Sequence, residues 1–344
     1  VATKYNLGVE LGFFNNFRLN ADVFYEKREN IFLSPQTSEV AGLPNGFDIY
    51  ANMGEMDNKG VDANLEYQTR IGNKVGLRLF GNLTYSKNKI VFRDEPAMQY
   101  AYQKSEGTRY GEFYGYIAEG YFQSEEEIKK SPRQMRELAP GDIKYKDLND
   151  DGVIDANDQC YLGKSWFPSW SYGMGFNINY HNFDLALFFQ GVSDVSIMAN
   201  GGSIDTGNGD WGASGVGIVP FTGMGLNPSN VITKALDRWT ADNPRADAWY
   251  PRMTANATTN DNNYVNSTHW LKDGSYLRLK QASLGYTLEN KKLMDKGIEY
   301  LYFYLSGQNL LTFSKFKLWD PELGSNGAKY PLSRMVTLGM RVSF

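Results

Sequence analysis

The sequence predicts an all-β protein: an antiparallel up-and-down transmembrane β-barrel, or a large part of one. Three observations point there. Nine stretches alternate apolar and polar residues with period two, which gives each strand one apolar and one polar face. The connections between them alternate between tight turns and long loops, the signature of an outer-membrane barrel with short periplasmic turns. Aromatic residues make up 15% of the 344 residues, with 23 Tyr and 20 Phe, a surplus that girdles at two membrane interfaces account for.

The strands are expected at 3–14, 17–33, 58–71, 74–92, 169–180, 183–196, 274–288, 298–312 and 333–344. In the first, Tyr5, Leu7, Val9, Leu11 and Phe13 oppose Asn6, Gly8, Glu10 and Gly12. The second sets Phe17, Leu19, Ala21, Val23 and Tyr25 against Arg18, Asn20 and Asp22, and the third sets Val61, Ala63, Leu65 and Tyr67 against Asp62, Asn64 and Glu66. Phe183, Leu185, Leu187 and Phe189 carry the pattern on, and Val336, Leu338, Met340, Val342 and Phe344 close it. A charge on the lipid face near the midplane costs about 2–4 kcal/mol. Asp22, Asp62, Glu66 and Arg341 fall on the other face, as that cost demands.

The turns are Asn15-Asn16, Gly72-Asn73, His181-Asn182 and the segment from Glu289 to Gly297; the loops are 34–57, 94–168, 197–273 and 313–332. Phe13, Phe17, Tyr180, Phe183 and Phe344 gather at the short-turn ends, where one girdle belongs. A soluble sandwich fits less well, because most of these strands exceed the usual length in soluble sheets. Mean hydropathy is only −0.48, and the longest strongly apolar run, Leu185 to Phe189, falls far short of the roughly 20 residues of a membrane helix. A polar lumenal face explains both. An odd strand number, with the chain ends on opposite sides, leaves open edges that lipid does not tolerate. The chain is therefore expected to be the C-terminal part of a larger barrel.

Composition excludes several functions. The net charge of −4 argues against nucleic acid. The single Cys160, read as a loop bystander, permits neither an internal disulfide nor a cysteine metal cluster. His181 and His269, the only histidines, read as turn or surface residues. With no catalytic constellation around them, the chain is not expected to be an enzyme. No basic cluster along the sequence argues for an anionic ligand.

Within the loops, Ser124 followed by Glu127 is a capping box for a short helix in 120–138. A second helix is expected over 228–240. Segment 197–230 reads as irregular, with Trp211 and Phe221 as packing residues. The sharpest motif is Asp147-Leu-Asn149-Asp-Asp151-Gly152-Val153-Ile-Asp155-Ala-Asn-Asp158. It carries oxygen ligands at positions 1, 3, 5, 9 and 12, a turn glycine at 6 and a carbonyl at Val153, the pattern of a twelve-residue Ca2+ loop. Asp rather than Glu stands last, and Gly141 to Lys146 ahead of it looks extended rather than helical, so a stabilising ion is expected rather than a sensor. All seven tryptophans lie in or beside the long loops. Trp211, Trp239 and Trp249 are the substrate-binding candidates, since exposed rings stack on sugars or cover apolar peptide side chains.

Several stretches carry a family resemblance. They are Gly141-Asp-Ile-Lys-Tyr-Lys-Asp-Leu-Asn-Asp-Asp-Gly-Val-Ile-Asp155, Pro168-Ser-Trp-Ser-Tyr-Gly173 and Asp184-Leu-Ala-Leu-Phe-Phe-Gln-Gly191. Tyr276-Leu-Arg-Leu-Lys-Gln-Ala-Ser-Leu-Gly-Tyr286, Leu305-Ser-Gly-Gln-Asn-Leu-Leu-Thr-Phe313, Trp319-Asp-Pro-Glu322 and the final Phe344 follow in the same order. Together the chain resembles the C-terminal region of SusC/RagA-type TonB-dependent transporters. The resemblance implies about nine strands of a 22-stranded outer-membrane barrel around a plug that lies outside this chain. It further implies import of oligosaccharides or peptides, a SusD-like surface lipoprotein as lid, and TonB engaged through the missing N-terminal part. The other readings are a structural or adhesive surface barrel and, last, an outer-membrane hydrolase.

Overall fold

The computed structural model describes residues 1–33, 50–72, 74–200, 232–253, 262–295, 297–327 and 330–344. One antiparallel sheet dominates it. Its strands are Ala2–Phe13, Phe17–Leu33, Ala51–Ile71, Val75–Phe92, Trp170–Tyr180, Phe183–Ser193, Tyr276–Leu288, Tyr300–Ser314 and Met335–Ser343. Each pairs only with its neighbours in chain order, the up-and-down topology that the alternation of turns and loops predicts. Among the described residues no helix is long and apolar enough to cross a membrane.

Register lines up the apolar faces. Ile178, Leu185, Leu284, Leu305 and Leu338 are successive cross-strand partners over five strands, and Phe17, Tyr67, Leu79, Phe176 and Leu187 form a second row. These rows coat one side of the sheet and leave large apolar side chains, such as Leu79 and Leu338, exposed. A continuous apolar coat with no protein over it is what lipid covers. The polar side satisfies its charges across strands. Arg78 Nε donates to Glu66 at 2.7 Å, Asn6 to Asp22 at 3.3 Å, and the Tyr302 hydroxyl to Asp184 at 3.0 Å.

The short-turn end carries the expected aromatics. Phe13 and Phe17 lie 6.1 Å apart, Phe17 and Tyr67 4.3 Å, and Phe183 and Tyr286 4.7 Å. Tyr67 and Tyr286 thus join the girdle through their cross-strand partners. In the His181-Asn182 turn, His181 takes a positive φ of 53°, as the first residue of a primed hairpin turn must. Asn73 lies outside the described residues.

The third strand begins at Ala51 rather than at residue 58. Pairing continues through Ile31–Gly54, Phe32–Asn52 and Leu33–Ala51 across two register shifts. Those irregularities break the alternation on which a sequence reading depends. The 34–57 loop is correspondingly shorter, and residues 34–49 lie outside the described residues.

At the long-loop end, parts of the loops at 94–168, 197–273 and 313–332 fold into a packed body. Three two-stranded ladders organise it: Glu112–Gly115 with Cys160–Ser165, Ala118–Tyr121 with Ile143–Tyr145, and Ser196–Met198 with Leu271–Asp273. Its core holds Phe113, Tyr121, Ile143, Tyr145, Tyr250 and Trp270. Cys160, expected as a loop bystander, is buried at the start of a ladder strand. Between 228 and 240, where a helix was expected, the described residues form only a 3-10 turn, Thr233–Leu236.

Candidate functional site

The loop body is held together by a buried polar network that joins segments far apart in sequence. Asp142 is fully buried and pairs with Arg252, Nε to Oδ1 at 2.6 Å and Nη2 to Oδ2 at 2.9 Å. The Asn263 amide donates to the same carboxylate at 2.8 Å, as does the backbone N–H of Ala139. Gln134 and Asn262 are tied to each other and to the carbonyl of Ile143, while the Tyr145 hydroxyl donates to the carbonyl of Asn262. A buried charge survives only when partnered in this way.

Aromatic residues fill the space beside that network. Trp270 is fully buried, donates to the carbonyl of Asn263 at 2.6 Å, and stacks on Tyr264 at 5.2 Å. His269, expected as a turn or surface residue, lies in a turn but is enclosed between Tyr121 and Trp270. Burial, with Lys272 nearby, pushes its pKa down to about 4, and its Nε2 meets the carbonyl of Trp249 at 3.2 Å. The imidazole is a neutral packing group.

The tryptophan candidates fare differently. Trp239 is buried, with its ring over Gly141, where a Cβ would collide with the indole. That leaves no open ring face for a ligand. Trp249 packs edge-on against Tyr250 and Trp270, yet it also lines an open cleft. Trp211 lies outside the described residues.

The Asp147–Asp158 loop folds through its own hydrogen bonds. Asp147 accepts from the N–H groups of Asp150 and Gly152, and Asp151 from Val153. Asn149 donates to Asp151 at 2.8 Å. Asp155 and Asp158 form a reciprocal capping box around the 3-10 turn Ala156–Asp158, and fully buried Asp158 also accepts from Leu148. Among the six expected ligand residues, Asn149, Asp151 and Val153 are thus bonded to one another, Asp155 and Asp158 to one another, and Asp147 to Asp150 and Gly152. Among the described residues, no group of three or more His, Cys, Asp or Glu is arranged to hold a metal ion.

A feature invisible in the sequence is the cleft itself, of about 750 Å³. Its walls come from the Thr233–Leu236 turn, Trp249, the Leu271–Asp273 strand and the segment Lys315–Leu318. Four lysines meet there: Lys234, Lys272, Lys315 and Lys317. Lys234 pairs with Asp237 at 2.8 Å, and Lys315 approaches Asp273 at 3.8 Å. Lys272 lies over the Trp249 ring at 5.1 Å and donates to the carbonyl of His269 at 2.6 Å. Desolvation, followed by repulsion from Lys234, lowers the pKa of Lys272 to about 8. The absence of a basic cluster along the sequence is thus overturned in three dimensions.

The lysine-bearing segment is anchored to the wall. Arg278, almost wholly buried, pairs with Asp320 at 2.6 Å and Glu322 at 3.6 Å, and Glu322 accepts from the Tyr276 hydroxyl at 2.6 Å. The Trp319-Asp-Pro-Glu322 stretch is therefore a latch that fixes Lys315–Leu318 against the strand Tyr276–Leu288.

No protein-family model matches the chain. Among curated proteins, TonB-dependent receptor P3 of Formosa agariphila is 26% identical over 368 residues, covering 98% of this chain and 34% of that protein. TonB-dependent receptor SusC of Bacteroides thetaiotaomicron is 22% identical over 361 residues, covering 99% and 32%. A solved structure of the RagAB peptide importer in its closed-closed state superposes with a TM-score of 0.73 at 21% identity, covering 100% of this chain and 35% of that one. The chain spans about a third of the length of the relatives it matches.

Proposed function

We propose that this chain, a SusC/RagA-type β-barrel segment of the outer membrane, forms part of the wall and mouth of a TonB-dependent importer. The cargo in this reading is an oligosaccharide or a peptide. A SusD-like surface lipoprotein closes the mouth, and TonB supplies the driving force through parts of the protein beyond this segment. One observation carries it: an apolar coat on a single sheet face, with a packed loop body at one end, and among the described residues at that end only. A wall needs the first feature. A shaped binding mouth needs the second. The relatives are named as receptors and importers, which supports transport over catalysis.

The test is uptake. Cells of the native host lacking the full-length protein should lose accumulation of a labelled oligosaccharide or peptide, and loss of TonB should have the same effect. Undiminished uptake of every cargo in the deletion strain sinks the reading.

Calcium at Asp147, Asn149, Asp151, Val153, Asp155 and Asp158 is proposed as a stabilising ligand of the 94–168 loop, supported by the donor types and their spacing. Binding exchanges hydrogen bonds that these carboxylates accept within the loop for contacts to the ion. Millimolar calcium should then slow proteolytic cutting in that loop and chelator should restore it. Equal cutting under both conditions leaves a turn held by backbone donors alone.

A further inference from the structure

The four-lysine cleft has a charge imbalance that its own residues do not correct. Two acids, Asp237 and Asp273, face four lysines, and those acids lie within reach of Lys234 and Lys315. Among the described residues Lys272 and Lys317 have no carboxylate within ion-pair distance. Lys317 stands exposed at the rim. Lys272 sits deeper, where one ammonium hydrogen is given to the His269 carbonyl, so two donors point elsewhere. Its surroundings disfavour the charge, holding the pKa at about 8, and an anionic partner would relieve that cost.

Apart from Thr233, the rest of the lining is apolar. Trp249 and Leu318 supply ring and aliphatic surface beside the ammonium groups, and Phe316 backs that wall. Phe316 is itself buried against Ile197 and Ala199, and the Arg278 latch fixes the segment that carries it. The cleft is therefore rigidly built on that side. Its volume lies in the range of small-ligand sites, which pair apolar walls with a few placed polar groups.

We propose that this cleft is a subsite for the acidic group of a cargo molecule, with Lys272 and Lys317 taking a carboxylate and Trp249 and Leu318 taking the apolar or ring-bearing body beside it. The proposal deepens the import reading by naming the charge class of the cargo. A carboxylate of this kind comes from an acidic peptide or from a uronate-bearing oligosaccharide.

The experiment is binding to the purified full-length protein in detergent, which needs neither TonB nor transport. Four probes are titrated: an acidic hexapeptide, its amidated neutral counterpart, a uronate trisaccharide and a neutral trisaccharide. One acidic probe should bind at least tenfold more tightly than its neutral partner, and which one identifies the source. Lys272→Gln should weaken it about tenfold or more, the scale of a lost charged hydrogen bond. Lys317→Gln, at an exposed site that leaves packing untouched, should weaken it about threefold. Equal affinity for acidic and neutral probes, no binding of either acidic probe at millimolar concentration, or unchanged binding in both variants overturns the subsite. Because uptake is measured separately, selective binding in a protein whose deletion leaves uptake intact rejects import and keeps the subsite.

Discussion

Leu338 in the wall is 81% exposed, whereas Trp270 in the loop body has no exposed surface at all. Both are large apolar side chains, Leu338 within the strand Met335–Ser343 and Trp270 in the turn just ahead of the strand Leu271–Asp273. The wall turns its apolar residues outward in register, so the medium that removes them from water is lipid. The body turns them inward, onto one another and around the Asp142–Arg252 pair. One chain thus uses two kinds of solvent for the same side-chain chemistry, and the two regions should fail under different perturbations.

The largest separation of the two should come from Trp270→Ala. The substitution removes a fully buried indole, its contacts with Tyr250 and Tyr264, and its bond to Asn263. A cost of about 3–5 kcal/mol follows, enough to open the body. Limited proteolysis should then cut the 94–168 region while the heat-modifiable mobility of the barrel on gels stays unchanged. A collapse of both together would show that the wall leans on the body.

The converse change is Leu305→Arg. Leu305 lies in the outward row between Leu284 and Leu338, and a midplane arginine there costs about 2–4 kcal/mol. Ser306→Arg, one residue away on the polar side, should cost close to nothing. Denaturant titration in bilayers measures the difference. Equal costs at the two positions would mean that the sheet has no lipid side.

Acid should weaken the body more than the wall, through His269. Its folded pKa of about 4 lies below the ordinary 6.5, so the unfolded chain binds a proton that the folded body refuses. Stability from this group is complete above pH 6.5 and is lost as the pH falls toward 4, by about 1–3 kcal/mol. Thermal scans of tryptophan fluorescence should show that slope, and His269→Gln, which keeps an amide donor for the Trp249 carbonyl, should flatten it. A slope that survives the substitution assigns the acid sensitivity to other groups.

The same contrast explains what the sequence discloses. All nine wall strands are legible because a strand between lipid and lumen must alternate at every residue, and only the bulged start of the third escapes. The body is illegible for the opposite reason. Its contacts join distant segments: Asp142 meets Arg252, and Lys234, Lys272 and Lys317 share a cleft, so each looks alone like a solvated charge. The burial of His269 and of Trp239 is hidden likewise, because an irregular loop leaves no period to read. Among the described residues, Trp249 is the candidate ring that the fold brings to the cleft.

The smallest effect concerns the helix Glu125–Lys130 on the body's surface. Six residues are far too few for a helix to persist alone, and none of these six is buried. Its ends must therefore hold it. Ser124 accepts from the N–H of Glu127 at 3.2 Å, as the capping box predicts, but Glu127 reaches back to the N–H of Gln123, not to that of Ser124. Glu127 also receives Lys144 at 3.2 Å, which ties the helix to the Ile143–Tyr145 strand. Ser124→Ala should cost about 1 kcal/mol, felt only within the helix, as faster amide exchange over 125–130 with an unchanged body melting temperature. Glu127→Ala, which loses both the Gln123 and Lys144 bonds, should free the helix more fully. If Ser124→Ala lowered the melting temperature of the whole body, the helix would belong to its cooperative core, and the boundary between packed body and solvated surface would have to be drawn outside it.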